Sequence, residues 1–185
     1  MRDTENPNMM QHLTIDQMTQ LWGNLGTTIA FVRNPFDRLV SLFHHLGQTA
    51  ETRLKLRLKE DRPAFKVIPV ESDVRIYNVY RKGFGAWVKS SEPRNTDCPL
   101  MYALTSMREH SQLRFLSYKI PDIVVRLENV DQEFSKIQDV VGCHTSFIHI
   151  NKSKRSSYQD YYDTESQQIV TSWFKDDLEA FNYQF

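Results

Sequence analysis

The sequence predicts an α/β protein, a parallel sheet flanked by helices. Three observations carry the prediction. Two short runs of β-branched and apolar residues, 27–32 (TTIAFV) and 123–127 (IVVRL), have the length and composition of buried strands. Each is followed at once by a helix-start signal and then by apolar residues at helical spacing. Strand followed by helix, twice over, is the alternation that builds a parallel sheet.

The elements follow in chain order. Thr14 has Gln17 three residues on, the capping-box spacing, and Gly23 stands where a helix would stop, so a helix is expected between them. Residues 27–32 are expected as a strand buried on both faces. Asn34 and Pro35 then pair an N-cap residue with the residue favoured at the first helical position, and Phe36, Leu39, Val40 and Phe43 form one apolar stripe. Residues 51–66 contain RLKLRLK, a period-two pattern written in residues that prefer helix, which leaves helix and strand both open. Aromatic and basic residues mix around Gly83 and Gly85, residues 90–99 read as an exposed loop, and 100–118 as a helix. After the second strand, Asn129 can cap a helix with the stripe Val130, Phe134, Ile137 and Val141, ended by Gly142. A short extended piece at 147–150 and the polar loop NKSKRSSYQDYYD lead to a last helix, capped by Thr164 with Gln167 three on. Its apolar side is Ile169, Val170, Trp173, Phe174, Leu178 and Phe181.

At 185 residues, 40% hydrophobic and 25% charged, the chain is expected to be globular and one domain, 1–185. Lys and Arg balance Asp and Glu at 23 each, so an anion site must come from local clustering, and a general nucleic-acid binder is disfavoured. No apolar stretch is long enough for a membrane span, and the polar start MRDTENPNMMQ has no signal-peptide core, which makes a cytoplasmic location the default expectation. Cys98 and Cys143 form no CxxC pair, so no metal is expected; buried thiols are the reading, with a single disulfide open in an oxidising lumen.

The window 31–45, FVRNPFDRLVSLFHH, concentrates the chemistry. A strand feeding straight into a capped helix leaves unpaired backbone N–H groups at the positive end of the helix dipole, which favours an anion. Arg33 at the strand end and Ser41 two turns into the helix can grip one phosphate, because helical side chains lean back toward the N-terminus. Structural ion pairs of Asp37 or Arg38 are the alternative.

The string VRNPFDRLVS resembles the 3′-phosphate-binding motif of sulfotransferases that use 3′-phosphoadenosine 5′-phosphosulfate (PAPS). Two further segments, DIVVRLENVDQEFSKIQDVVG and NKSKRSSYQDYYDTESQQIVTSWFKDDLEAFNYQF, resemble the same family in the same order. The resemblance implies a P-loop-NTPase-like sheet and assigns the 3′-phosphate of PAPS, or of its product PAP, to Arg33 and Ser41. It implies that the basic loop of Lys152, Lys154 and Arg155, with Tyr158, closes over the nucleotide; a solvated surface loop is the alternative. The implied reaction moves a sulfuryl group from PAPS to a hydroxyl or amine, on a carbohydrate or other small acceptor.

One departure matters. The family's loop of the type Lys-[Thr/Ser]-[Gly/Ala]-x-[Thr/Ser], which holds the 5′-phosphosulfate, does not occur, so an N-terminally truncated fold is expected. That opens a second reading, a catalytically inactive module that binds PAP or a protein partner. Candidate bases are His44, His45 and His110, with Asp or Glu as alternatives. The RLKLRLK stretch could contact an anionic sugar or be a solvated face. Trp87 and Trp173 read as packing, and the absence of a Walker-type loop disfavours a kinase.

Overall fold

The elements run α1 (Ile15–Trp22), β1 (Ile29–Val32), α2 (Pro35–Arg57), α3 (Val70–Arg81), α4 (Phe84–Val88), α5 (Gln112–Phe115), β2 (Ile123–Arg126), α6 (Val130–Glu133), α7 (Ser135–Val141), α8 (Thr164–Trp173) and α9 (Lys175–Ala180). Single 3-10 turns lie at Leu127–Asn129 and Tyr158–Tyr161. This computed structural model describes residues 13–57, 70–90, 111–142 and 155–185, which cluster as two compact units. The first takes residues 13–34, 111–142 and 176–184; the second takes 35–57, 70–90, 155–175 and 185.

In the first unit α1 is closed at its start by the expected capping box, the Thr14 hydroxyl accepting from Gln17 N–H and the Gln17 side chain accepting from Thr14 N–H. Gly23 ends it at φ 79°, a conformation that costs glycine little. Strands β1 and β2 pair in parallel, Ile29 opposite Ile123 through Val32 opposite Arg126. The Asp122 carboxylate clamps the start of that ladder, accepting from Thr28 N–H (2.8 Å) and the Thr28 hydroxyl (2.7 Å). Burial on both faces holds only in part for β1. Ala30 and Val32 are buried on one face, and on the other Ile29 packs against the core around Val125, whereas Phe31 is 45% exposed. Below the sheet Val125, Val130 and Ile137 form a core with Ile29, Ile123 and Phe134.

The helix after β2 departs from its predicted form. Asn129 makes no side-chain cap, a 3-10 turn intervenes, and the helix breaks at Phe134 into α6 and α7. The break rotates the stripe, so Val130 and Ile137 stay buried while Val141 is 62% exposed. Gly142 closes α7 in the left-handed conformation, as its position predicts.

In the second unit the predicted stripe of α2 is the core: Phe36, Leu39, Val40 and Phe43 are each buried, and α3 packs along the same helix. Gly47 permits that approach, since a methyl group there would overlap the Tyr80 ring. Residues 53–57 of the RLKLRLK stretch continue α2 as helix. Helix α4 places Phe84, Trp87 and Val88 in the core and packs against α8, which contributes Val170. Trp87 stacks at a tilt on Phe43, ring centroids 5.1 Å apart, and is a packing residue. The cap of α8 is Asp163, one residue before the expected Thr164. Its carboxylate accepts from Ser166 N–H (2.8 Å) while Ser166 Oγ accepts from Asp163 N–H (3.0 Å), and a negative charge suits a helix start better than a hydroxyl. The final apolar side is split by a turn at Phe174 into α8 and α9.

The 91–99 loop, most of the predicted 100–118 helix, the 147–150 piece and both cysteines lie outside the described residues. Among the described residues no helix is long and apolar enough to cross a membrane, and no cluster of His, Cys, Asp and Glu is arranged to hold a metal ion.

Candidate functional site

In the first unit the site begins where β1 ends. The last ladder pair is Val32 with Arg126, so Arg33 and Asn34 are the two residues between the strand and Pro35, the first residue of α2. Both are tied through their backbones. Arg33 N–H donates to Gln112 Oε1 (2.9 Å), and Gln112 Nε2 donates back to Arg33 C=O (2.8 Å). Asn34 N–H donates to Glu128 Oε1 (2.6 Å), and the Asn34 side-chain amide donates to Gln184 C=O (2.8 Å). Glu128 is itself held by the Tyr183 hydroxyl (2.9 Å). Burial and the Glu128 charge push the Tyr183 phenol far above its ordinary range, so it remains a protonated donor.

Gln112 is in turn fixed by Asp177, a fully buried carboxylate. Asp177 accepts from Gln112 N–H (2.9 Å) and Leu113 N–H (2.8 Å), the first N–H groups of α5. A buried charge that accepts two backbone N–H groups is compensated where it stands.

In the second unit α2 opens with Asp37 in its first turn, and Asp37 forms an ion pair with Arg155 at 15% and 10% side-chain exposure. Ser41 follows one turn on and is half-buried, so helical periodicity sets Asp37, Ser41 and His44 along one flank. Tyr158 is half-buried, its ring lying nearly parallel to that of Phe36 (centroids 6.5 Å apart) and edge-on to Phe185 (5.8 Å). Tyr162 donates to Phe36 C=O (3.0 Å); burial, then the Asp37 charge, raises its phenol pKa far above the ordinary value.

The histidines separate. His44 is buried, Nδ1 2.9 Å from the Tyr80 hydroxyl, edge-on to Tyr161 and Phe43, and among the described residues its Nε2 makes no hydrogen bond. Burial, then the positive charge of Arg155, lowers its pKa below the usual imidazole value. His45 is exposed and lines an open groove along α2 with Gln48, Thr49, Thr52 and Arg53. Arg53 reaches back to the buried Asp73 at 3.5 Å. His110, Lys152 and Lys154 lie outside the described residues.

The sequence alone assigned no site role to Gln112, Glu128 or Asp177. A signal for Asp177 exists. It falls on the helical stripe of Val170, Phe174 and Phe181, where a carboxylate among buried apolar residues implies donors waiting for it.

A family model described as the sulfotransferase family matches residues 2–184. No curated protein and no solved structure matches the chain.

Proposed function

The chain belongs to the sulfotransferase family, and on that premise we propose that it transfers a sulfuryl group from PAPS to a hydroxyl or amine, on a carbohydrate-type acceptor. The observation that carries this reading is the junction at Arg33: β1 ends at Val32 and α2 starts at Pro35, within the string VRNPFDRLVS. In this reading Arg33 and Ser41 hold the 3′-phosphate, the former by paired charged hydrogen bonds and the latter through its hydroxyl. Arg155 and Tyr158, with Lys152 and Lys154, form the loop over the nucleotide. Arg155 would arrive with its charge already balanced by Asp37, which makes Lys152 and Lys154 the cations that add attraction. Of the base candidates in this reading, His44 is packed against Tyr80 and Tyr161 while His45 is exposed, and His110 and Asp or Glu residues remain candidates with them. We read both units as one sulfotransferase domain because the family match runs unbroken across them, with a P-loop-like sheet as its frame.

The test is calorimetry with PAP and AMP, which differ by the 3′-phosphate. The chain should prefer PAP, and Arg33→Ala should weaken PAP binding at least tenfold, since a charged hydrogen bond contributes about 1.5–3 kcal/mol. Equal affinity for the two nucleotides would sink the assignment.

A second reading, a nucleotide-binding module without turnover, is favoured by one observation: no Lys-[Thr/Ser]-[Gly/Ala]-x-[Thr/Ser] loop occurs in this sequence. It predicts the same PAP preference without sulfate transfer.

A further inference from the structure

Arg33 stands one residue past the last pair of the β1–β2 ladder, where its N–H and C=O would ordinarily turn to water. Both are instead taken by one side chain from 79 positions away, the Gln112 amide, at 2.9 and 2.8 Å. A primary amide bonded in this two-way fashion reproduces what a neighbouring strand would offer, and it fixes both groups of Arg33 at once. Gln112 has little freedom of its own. Asp177, fully buried, holds the backbone N–H groups of Gln112 and Leu113 and lies 3.5 Å from Gln112 Nε2.

We propose that Gln112 is a positioning residue for recognition of the nucleotide 3′-phosphate: its amide sets the backbone of Arg33, and Asp177 sets Gln112. The inference rests on the reading of Arg33 as the 3′-phosphate ligand. The physical reason is that an arginine side chain has several rotatable bonds, so its paired contact with a phosphate is only as well placed as the Cα–Cβ direction from which it starts. Clamping N–H and C=O on either side of Arg33 Cα fixes that direction before the nucleotide arrives, and preorganisation of this kind reduces the ordering cost of binding. A sequence of chemistry follows outward from the phosphate: guanidinium, backbone of Arg33, amide of Gln112, carboxylate of Asp177.

The experiment titrates PAP and AMP by calorimetry into the full 185-residue chain and into Gln112→Met, Asp177→Asn, Arg33→Ala and the double variant Arg33→Ala/Gln112→Met. Methionine keeps the length of glutamine and loses both hydrogen bonds. Gln112→Met should lower PAP affinity about five- to tenfold and leave AMP affinity within about twofold, so that the PAP-to-AMP ratio falls. The double variant should bind PAP no more weakly than Arg33→Ala, because Gln112 acts only through Arg33. A purely structural role would lower both nucleotides together, or add its loss to that of Arg33→Ala, and either result overturns the proposal. Should Gln112→Met fail to fold, Asp177→Asn carries the same ratio test, with a smaller fall expected and an unchanged ratio overturning it. If Arg33→Ala abolishes the preference for PAP while Gln112→Met keeps it, this proposal falls alone; if the unaltered chain shows no preference for PAP, it falls together with the reading of Arg33.

Discussion

His44 combines a deep position with, among the described residues, one hydrogen-bond partner, the Tyr80 hydroxyl, and its pKa is lowered by burial and by Arg155. A histidine whose folded pKa lies below its unfolded value of about 6.5 takes up its proton first in the unfolded chain. The stability it contributes is therefore complete above about pH 6.5 and is lost as pH falls toward the lowered folded value. Urea unfolding at pH 7.5, 6.5 and 5.5 should show a decline for the unaltered chain that Gln at position 44 (His44→Gln) flattens. An identical decline in both would place the titration elsewhere. The contrast with His45, exposed one residue along α2, comes from the 100° that separates neighbours on a helix.

Helix pairing in the second unit turns on one glycine. Helices α2 and α3 approach at Gly47, whose missing Cβ leaves room for the Tyr80 ring. Gly47→Ala would gain helix propensity and lose that room. The steric loss should win, because the neighbour is a half-buried ring whose hydroxyl is already bonded to His44: we expect a net destabilisation of about 1–3 kcal/mol by denaturant unfolding. An alanine variant as stable as the original would show that α3 slides without cost. The same helix explains the RLKLRLK stretch, whose period-two pattern suggested a strand as readily. Residues 53–57 propagate a helix already nucleated from Pro35, and propagation is cheap compared with starting anew.

For the whole chain, binding and turnover are separable. The residues assigned to the 3′-phosphate, Arg33 and Ser41, are in this sequence, whereas a Lys-containing loop for the 5′-phosphosulfate is not. Donors aimed at charge that develops during transfer dominate catalysis of this kind, and removing one costs on the order of 10²- to 10³-fold in rate. The 185-residue chain is therefore expected to bind PAP and to transfer sulfate slowly or not at all. A radiolabelled PAPS assay on mixed glycan acceptors checks this, with a chain extended by a family-type strand and Lys-containing loop as the comparison. Robust turnover by the 185-residue chain would mean that another cation, Lys152 or Lys154, serves in place of the loop.

Local interactions were legible from the sequence alone. The α1 capping box, the start of α2 at Pro35, its stripe from Phe36 to Phe43, the core position of Val125 and the Gly142 stop all depend on residues within about a turn of one another, where spacing and propensity act directly. The strand end at Val32 directly before the helix start at Pro35, which sets Arg33 between them, was legible for the same reason. Tertiary structure decided that Phe31 of β1 is left exposed, where the helices after β2 and at the C-terminus break, and that Asp163 displaces Thr164 as a cap. It alone decided how the candidate site is held. Gln112, Glu128 and Asp177 meet the backbone groups they bind across 64 to 94 positions, and no local pattern records which distant donor or acceptor will be left waiting at a strand end.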